Sequence, residues 1–220
     1  MEQTTYRSSA IRDGLGVGLA VGLSGMAFGA AAITSGLSVA QACAMSLLAF
    51  TGASQFAFAG AVGAGGDLVA AAASALLLGG RNTLYGLRMA DTLGFRGPRR
   101  LLAAHGVIDE TTAVSLAQPT PEASRVGFVT TFASLYVVWN LTTLAGALGT
   151  SALGDPGVLG LDAVGPATFL AILWPRLAGD RRLRVLAATG AAIALCATPF
   201  FPPGVPVLLS AVAVLVVLFR

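Results

Sequence analysis

A run of polar residues interrupts an apolar stretch at Phe50-Thr51-Gly52-Ala53-Ser54-Gln55-Phe56, and Gly60, Gly63, Gly65 and Gly66 follow it. A continuous lipid-facing helix gains nothing from Ser54 and Gln55 at mid-segment. A helix that breaks near Gly52 does, because the free N–H groups of the following half-helix then carry the positive end of its dipole and can hold a carboxylate. On the packing alternative, Ser54 and Gln55 hydrogen-bond a neighbouring helix and the glycines permit close approach. A second run, Asp162-Ala163-Val164-Gly165-Pro166-Ala167-Thr168-Phe169, carries a comparable interruption. Proline suits the first position of a helix, where its missing N–H is not needed, although an ordinary proline kink also accounts for it. Two discontinuous helices at corresponding positions point to a transporter's binding site. They make Gly52, Ser54, Gln55, Phe56, Gly165, Pro166, Thr168 and Phe169 candidate substrate-binding residues.

Arg81-Asn82 adds charge to this set, lying between the apolar residues 70–80 and residues 83–90. An arginine at mid-span costs about 2.5–3.5 kcal/mol on insertion scales, so it must face a partner or water. It can neutralise a ligand anion, or pair with Asp67, Asp162 or helix carbonyls. His105, Asp109 and Glu110 form another group. At helical spacing His105 and Asp109 share a face, and a histidine beside a carboxylate suits proton coupling; salt bridges to Arg99 and Arg100 on a solvated helix are the structural alternative. One histidine with hard carboxylates makes a poor zinc set, and Cys43 and Cys196 lack metal-type spacing, so they are expected to pack. No P-loop, HExxH or Ser-His arrangement is present; no cofactor and no enzymatic activity are expected.

The elements that hold these residues must be membrane helices. The chain has 220 residues, 55% hydrophobic and 10% charged, with a mean hydropathy of +0.81, whereas soluble domains are charged at about a quarter of their positions. Spans of about 20 apolar residues fit at Gly14 to Gly36, Ala42 to Gly65, Leu68 to Ala90, Val126 to Gly149, Leu161 to Leu177, Leu183 to Ala197 and Val205 to Phe219. The expectation is one all-α membrane permease domain, 1–220, of about seven transmembrane helices. The first apolar stretch is longer than a signal-peptide core, so it is expected to remain. All thirteen basic residues are arginines, placed as topology signals rather than as a nucleic-acid face. With the N-terminus outside, only Arg7 and Arg12 fall outside, and the connection 91–125 is cytoplasmic. The competing arrangement starts inside and makes Leu101 to Gln118 an eighth crossing. Arg12, Gly14, Gly36 and Gly52 align with Arg125, Gly127, Gly149 and Gly165, suggesting repeats 12–90 and 125–200. Three spans per copy would invert the second, a 3+3 architecture plus one C-terminal span. Glycines 14, 18, 22, 25 and 29 line one face of the first span, a packing stripe onto another span or a second subunit.

Taken together, Phe28-Gly29, Met45-Ser46-Leu47 with Gly52-Ala53-Ser54-Gln55-Phe56, Arg81 to Gly86, and His105 to Thr111 resemble the AzlC family, the large subunit of bacterial branched-chain amino-acid exporters. The chain departs from that pattern around Arg81, with Gly79 and Asn82 where the family often has asparagine and histidine. The resemblance implies a multi-pass inner-membrane permease that exports hydrophobic amino acids, driven by protons and working with a small AzlD-type membrane subunit. In that reading the substrate carboxylate meets the half-helix after Gly52 or Gly165, or Arg81, and its side chain meets Phe56, Phe58 and Phe169. A channel or a non-transporting assembly component is the alternative.

Overall fold

The computed structural model describes residues 2–153, 167, 170, 173–174, 177–201 and 205–218, and among these every regular element is a helix. Two stretches of the described residues are long and apolar enough to cross a membrane. The first joins α1 (Glu2–Gly22) to α2 (Gly25–Thr34), and the second is α9 (Pro121–Ala152). The expected glycine stripe joins them. A Cβ on Gly14 would meet Thr130 and Thr131 of α9, one on Gly22 would meet Val138, and one on Gly29 would strike the Thr143 carbonyl. On the other side, a Cβ on Gly146 would strike the Met26 carbonyl. Without side chains here the backbones come close enough for Ser134 to donate to the Gly14 carbonyl (3.2 Å) and Thr142 to the Gly22 carbonyl (2.7 Å). Along this seam residue numbers rise together on both helices, so the two crossings are parallel. Their starts mark the lower end of the bundle and their finishes the upper end. Leu15 and Leu19 of α1, and Leu23 just after it, are exposed, as a lipid-facing surface requires.

The second expected span does not cross. Gly36, at φ +86°, turns the chain after α2, and a Ser38–Gln41 capping box starts α3 (Val39–Leu48). Downwards, Ser46 meets Thr143 and Leu47 meets Tyr136, so α3 runs antiparallel to α9. The chain then breaks at Ala49-Phe50-Thr51 and returns as α4 (Gly52–Gly63). The return is fixed at both ends: Phe56 packs on Phe28, and Gly63 lies against Ser35 at the end of α2. Residues 39–63 therefore form a re-entrant hairpin whose tip reaches mid-depth. The physical reason is legible in its lengths, since helices of 10 and 12 residues each span only about half of a 30 Å hydrocarbon core.

After Gly65, at φ +79°, Asp67 caps α5 (Leu68–Gly79) by accepting from the Ala70 N–H. Gly80 keeps helical angles, and α6 (Arg81–Leu93) carries the chain on to the lower end, where Gly94 meets the Arg125 guanidinium. Next come α7 (Pro98–His105) and α8 (Asp109–Leu116). Gly106 lies against Phe132 at mid-depth, while Val114 lies against Gly127 and Ser115 donates to the Ser124 carbonyl near the foot of α9. This is a second re-entrant hairpin, entering from the lower end. Residues 91–125 thus hold two short helices that enter and return at the lower end, where an eighth crossing would need one continuous helix over Leu101 to Gln118. Ile108, at the tip, belongs to the same buried cluster as Phe28 and Trp139. Further along the chain α10 (Arg181–Ala197) packs on α11 (Val205–Ser210) and α12 (Ala213–Leu218), and α11 touches α5.

Three expectations change with this architecture. With the second segment re-entrant, the first three segments hold two crossings, so a repeat matching α1–α2 to α9 is parallel rather than inverted. Among the described residues, the hairpins α3–α4 and α7–α8 enter from opposite ends, the first followed by α5–α6 and the second by α9. Leu101-Leu102-Ala103 and Gly106 echo Leu47-Leu48-Ala49 and Gly52 at the same spacing. Finally, Arg7 and Arg12 do not stand opposite Arg96, Arg99, Arg100 and Arg125; all lie at the lower end, because α1 and α9 start there.

Re-entrance has a direct test. A Cβ built on Gly63 lies 3.0 Å from the Ser35 Cβ, close to the separation of about 3.5–4.5 Å in disulfides. Ser35→Cys with Gly63→Cys, in a Cys43→Ala, Cys196→Ala background, is expected to form an intramolecular disulfide in oxidised membranes. Were residues 39–63 a crossing, the two positions would stand about 30 Å apart and remain reduced thiols.

Candidate functional site

The two hairpin tips meet beside the middle of α9. Phe50 of the first tip and His105 of the second have ring centroids 6.0 Å apart, and both pack on Phe132 and Tyr136 of α9. His105 is therefore enclosed by three aromatic rings, two of them edge-on to it. It does not share a helix face with Asp109: α7 ends at Gly106, and Ile108 is extended (φ −133°, ψ 178°) before α8 begins.

Each member of the Gly52-to-Phe56 run has a defined place. A Cβ on Gly52 would come within 2.9 Å of the Trp139 ring, so no side chain fits at the turn into α4. Gln55 is fully buried and donates from Nε2 to the Met45 carbonyl (2.9 Å), tying the two arms of the hairpin together. Phe56 meets Phe28 edge-on at 5.6 Å, and Phe28 in turn stacks on Trp139. Ser54 is buried beside the α5–α6 junction, its Oγ 3.1 Å from where a Gly79 Cβ would stand. The Ser54 Oγ and Gln55 Oε1 have no hydrogen-bond partner among the described residues. Thr51 supplies no side-chain cap to α4, so the first N–H groups of that half-helix face the tip region.

Arg81 finds a partner that the sequence reading does not name. Its Nη2 lies 2.8 Å from Asp109 Oδ2, joining the α5–α6 crossing to the second hairpin, rather than Asp67, which caps its own helix. Asn82, next to Arg81, also lines a cavity of about 430 Å³ between α6 and α7, walled by Met89, Leu93 and Val107 and reaching Phe95 and Arg100 near the lower end. Glu110 is partly buried in the first turn of α8. Thus Gly52, Ser54, Gln55, Phe56, Arg81, Asn82, His105, Asp109 and Glu110 all lie at or beside the two tips. Asp162, Gly165, Pro166, Thr168 and Phe169 lie outside the described residues.

Sequence reasoning misses the residue that holds the second tip. Thr111 is fully buried; its hydroxyl donates to the Gly106 carbonyl (2.6 Å) and accepts from the Ile108 N–H (3.1 Å). The extended tip has lost its helical bonds, and at membrane depth such groups must be satisfied internally. The signal available is a glycine five residues before a threonine, flanked by carboxylates. Tyr136 is also missed, although Phe128, Phe132 and Tyr136 repeat at helical spacing. Thr111→Val keeps the shape and removes both bonds, and is expected to destabilise the protein by about 1–3 kcal/mol, read as a lower melting temperature in detergent, with Thr111→Ser close to wild type. Equal melting of the valine variant and wild type would remove Thr111 from this role.

No curated protein and no solved structure matches the chain. The family described as AzlC protein matches residues 16–153, a region that holds both hairpins, the glycine seam and the Arg81–Asp109 pair. The chain is therefore a membrane protein belonging to the AzlC family, which is associated with branched-chain amino-acid transport.

Proposed function

We propose that the chain is the large subunit of a secondary exporter of branched-chain and other hydrophobic amino acids in a bacterial inner membrane. In this reading it is a transporter, not an enzyme, uses no cofactor, draws on the proton gradient and works with a small AzlD-type membrane subunit. Family membership is the observation that carries it. The two opposed re-entrant hairpins support it, since irregular backbone at membrane depth is tolerated where it is buried in protein or lines a cavity, and half-helices at mid-depth are a recurring transporter device. The apolar cavity beside Asn82 suits an aliphatic side chain. His105, Asp109 and Glu110, on the second hairpin, are the proton-coupling candidates of this reading.

The shared lower end of Arg7, Arg12, Arg96, Arg99, Arg100 and Arg125 supports a cytoplasmic placement of that end, because arginine-rich short segments stay inside. The N-terminus is then cytoplasmic, reversing the orientation favoured by counting seven spans. Single cysteines at Arg7 and Arg96 should both resist a membrane-impermeant thiol reagent in intact cells and react after permeabilisation. Labelling of either in intact cells would reverse the orientation.

Cells fed leucine- or valine-containing dipeptides provide the functional test. Expression of the chain with its small partner is expected to accelerate leucine and valine efflux saturably, and a protonophore to abolish the gain. Gln55→Ala, which cuts the tie between the hairpin arms, is expected to lower that efflux several-fold. Efflux of every hydrophobic amino acid unchanged by expression would sink the exporter reading, and unsaturable flux would favour a channel.

A further inference from the structure

Arg81 and Asp109 are joined by one contact, and each keeps a second functional atom buried without a partner. Nη2 meets Oδ2 at 2.8 Å, while Arg81 Nε and Asp109 Oδ1 have no hydrogen-bond partner among the described residues. The Asn82 Oδ1 and Thr112 Oγ1 are buried and unpartnered as well, Asn82 being next to Arg81 and Thr112 one turn along α8 from Asp109. Buried polar atoms are ordinarily hydrogen-bonded, and exceptions call for a reason. Four of them around a single ion pair, at the depth where two hairpins end, make a set of groups complementary to a ligand. Their signs define it. Arg81 Nε is a cationic donor; Asp109 Oδ1 is an anionic acceptor; Asn82 Oδ1 is a neutral acceptor.

We propose that the ion pair itself is the docking site for the zwitterionic head of the substrate. The ligand carboxylate accepts from Arg81, its ammonium donates to Asp109 and Asn82, and the Arg81–Asp109 contact stays in place. The aliphatic side chain enters the apolar cavity that begins at Asn82. This deepens the transport reading and rests on it. The side chains of Arg81 and Asp109 are 38% and 22% exposed, while Arg81 Nε and Asp109 Oδ1 are themselves covered, so docking requires a small shift of these side chains. Electrostatics favour the arrangement over a lone charge. Isolated ions are costly at membrane depth, whereas a neutral pair holding a neutral zwitterion alternates four charges with no net charge. The site then requires both charges of the ligand. A carboxylate alone would compete with Asp109 for Arg81, and an amine alone would leave Arg81 Nε unpaired.

The test is binding to the full chain in lipid nanodiscs of three probes that share the isobutyl side chain: L-leucine, 4-methylpentanoate, which lacks the ammonium, and 3-methylbutylamine, which lacks the carboxylate. Leucine is expected to bind at least about tenfold more tightly than either, each charged hydrogen bond being worth that much or more. Arg81→Gln and Asp109→Asn are each expected to weaken leucine by about tenfold or more. The double exchange Arg81→Asp with Asp109→Arg restores the pair and controls for folding through its melting temperature. If 4-methylpentanoate binds as tightly as leucine, or Asp109→Asn tightens leucine, the head group is read as an anion only and this site is overturned. If leucine binds both single variants as it binds wild type, the site is overturned while the transport reading stands. If wild type binds none of the three probes but exports another solute, the amino-acid reading falls and the site with it.

Discussion

The close parallel contact between α1–α2 and α9 constrains everything else in the bundle. Between membrane helices the hydrophobic effect supplies no attraction, so association depends on packing and on hydrogen bonds made at short range. The glycines from Gly14 to Gly29, with Gly146 opposite, supply both by removing the side chains that would hold the backbones apart. Hydroxyl groups of Ser134 and Thr142 then bridge directly to α1 carbonyls, each shared with a carbonyl of α9 itself. Because the seam is parallel, the chain between Thr34 and Pro121 has to return from the upper to the lower end. Helices α5 and α6 do that, with Arg81 and Asn82 just past their junction, and the helices α3, α4, α7 and α8 are left to enter and withdraw.

Withdrawing at mid-depth breaks backbone hydrogen bonds where lipid offers none, and the two tips meet that demand differently. The first is closed by aromatic packing: Phe50 lies on Phe132 and Tyr136, Trp139 fills the space beside Gly52, and Gln55 ties α4 back to α3. The second is closed by hydrogen bonds through Thr111. A tip held by ring contacts can slide, since such contacts are weakly directional, whereas a tip held through a buried hydroxyl keeps its shape. The Arg81–Asp109 contact further fastens the second hairpin to a crossing helix.

The break at Gly52 was legible because a glycine and polar side chains in the middle of an apolar run conflict with a lipid-facing helix. The glycine stripe was legible because its spacing matches one helix face. Re-entrance was not legible, because hydropathy reports how much apolar chain is present and not its direction. Helices α3 and α4 together are as long as a crossing. The same ambiguity underlies the seven-span count and the inverted repeat, which the described helices leave without support, and it separates Arg7 and Arg12 from Arg96, Arg99, Arg100 and Arg125, with which they share an end. His105 and Asp109 were separated by Gly106, whose effect on helix continuity competes with a spacing that otherwise reads as one face. The Arg81–Asp109 pair joins segments distant in sequence, and single-chain spacing rules do not reach it.

Hairpins that enter from opposite ends give each side of the membrane its own movable element, with α9 as a common backing. The central groups are then separated from each side by a different hairpin: α3–α4 above and α7–α8 below. At the tips they meet through the Phe50 ring and the His105 imidazole, with Ile108 in the buried cluster that also holds Phe50 and Phe56. The cavity between α6 and α7 runs along the lower hairpin and reaches Phe95 and Arg100. Closing it requires α7 to approach α6, which would bring Val107 and Ala104 against Asn82 and Gly86 without breaking the Thr111 contacts within the tip. Under the transport reading proposed above, two opposed hairpins would let access alternate through motions of short helices while the closely packed glycine seam stays in place.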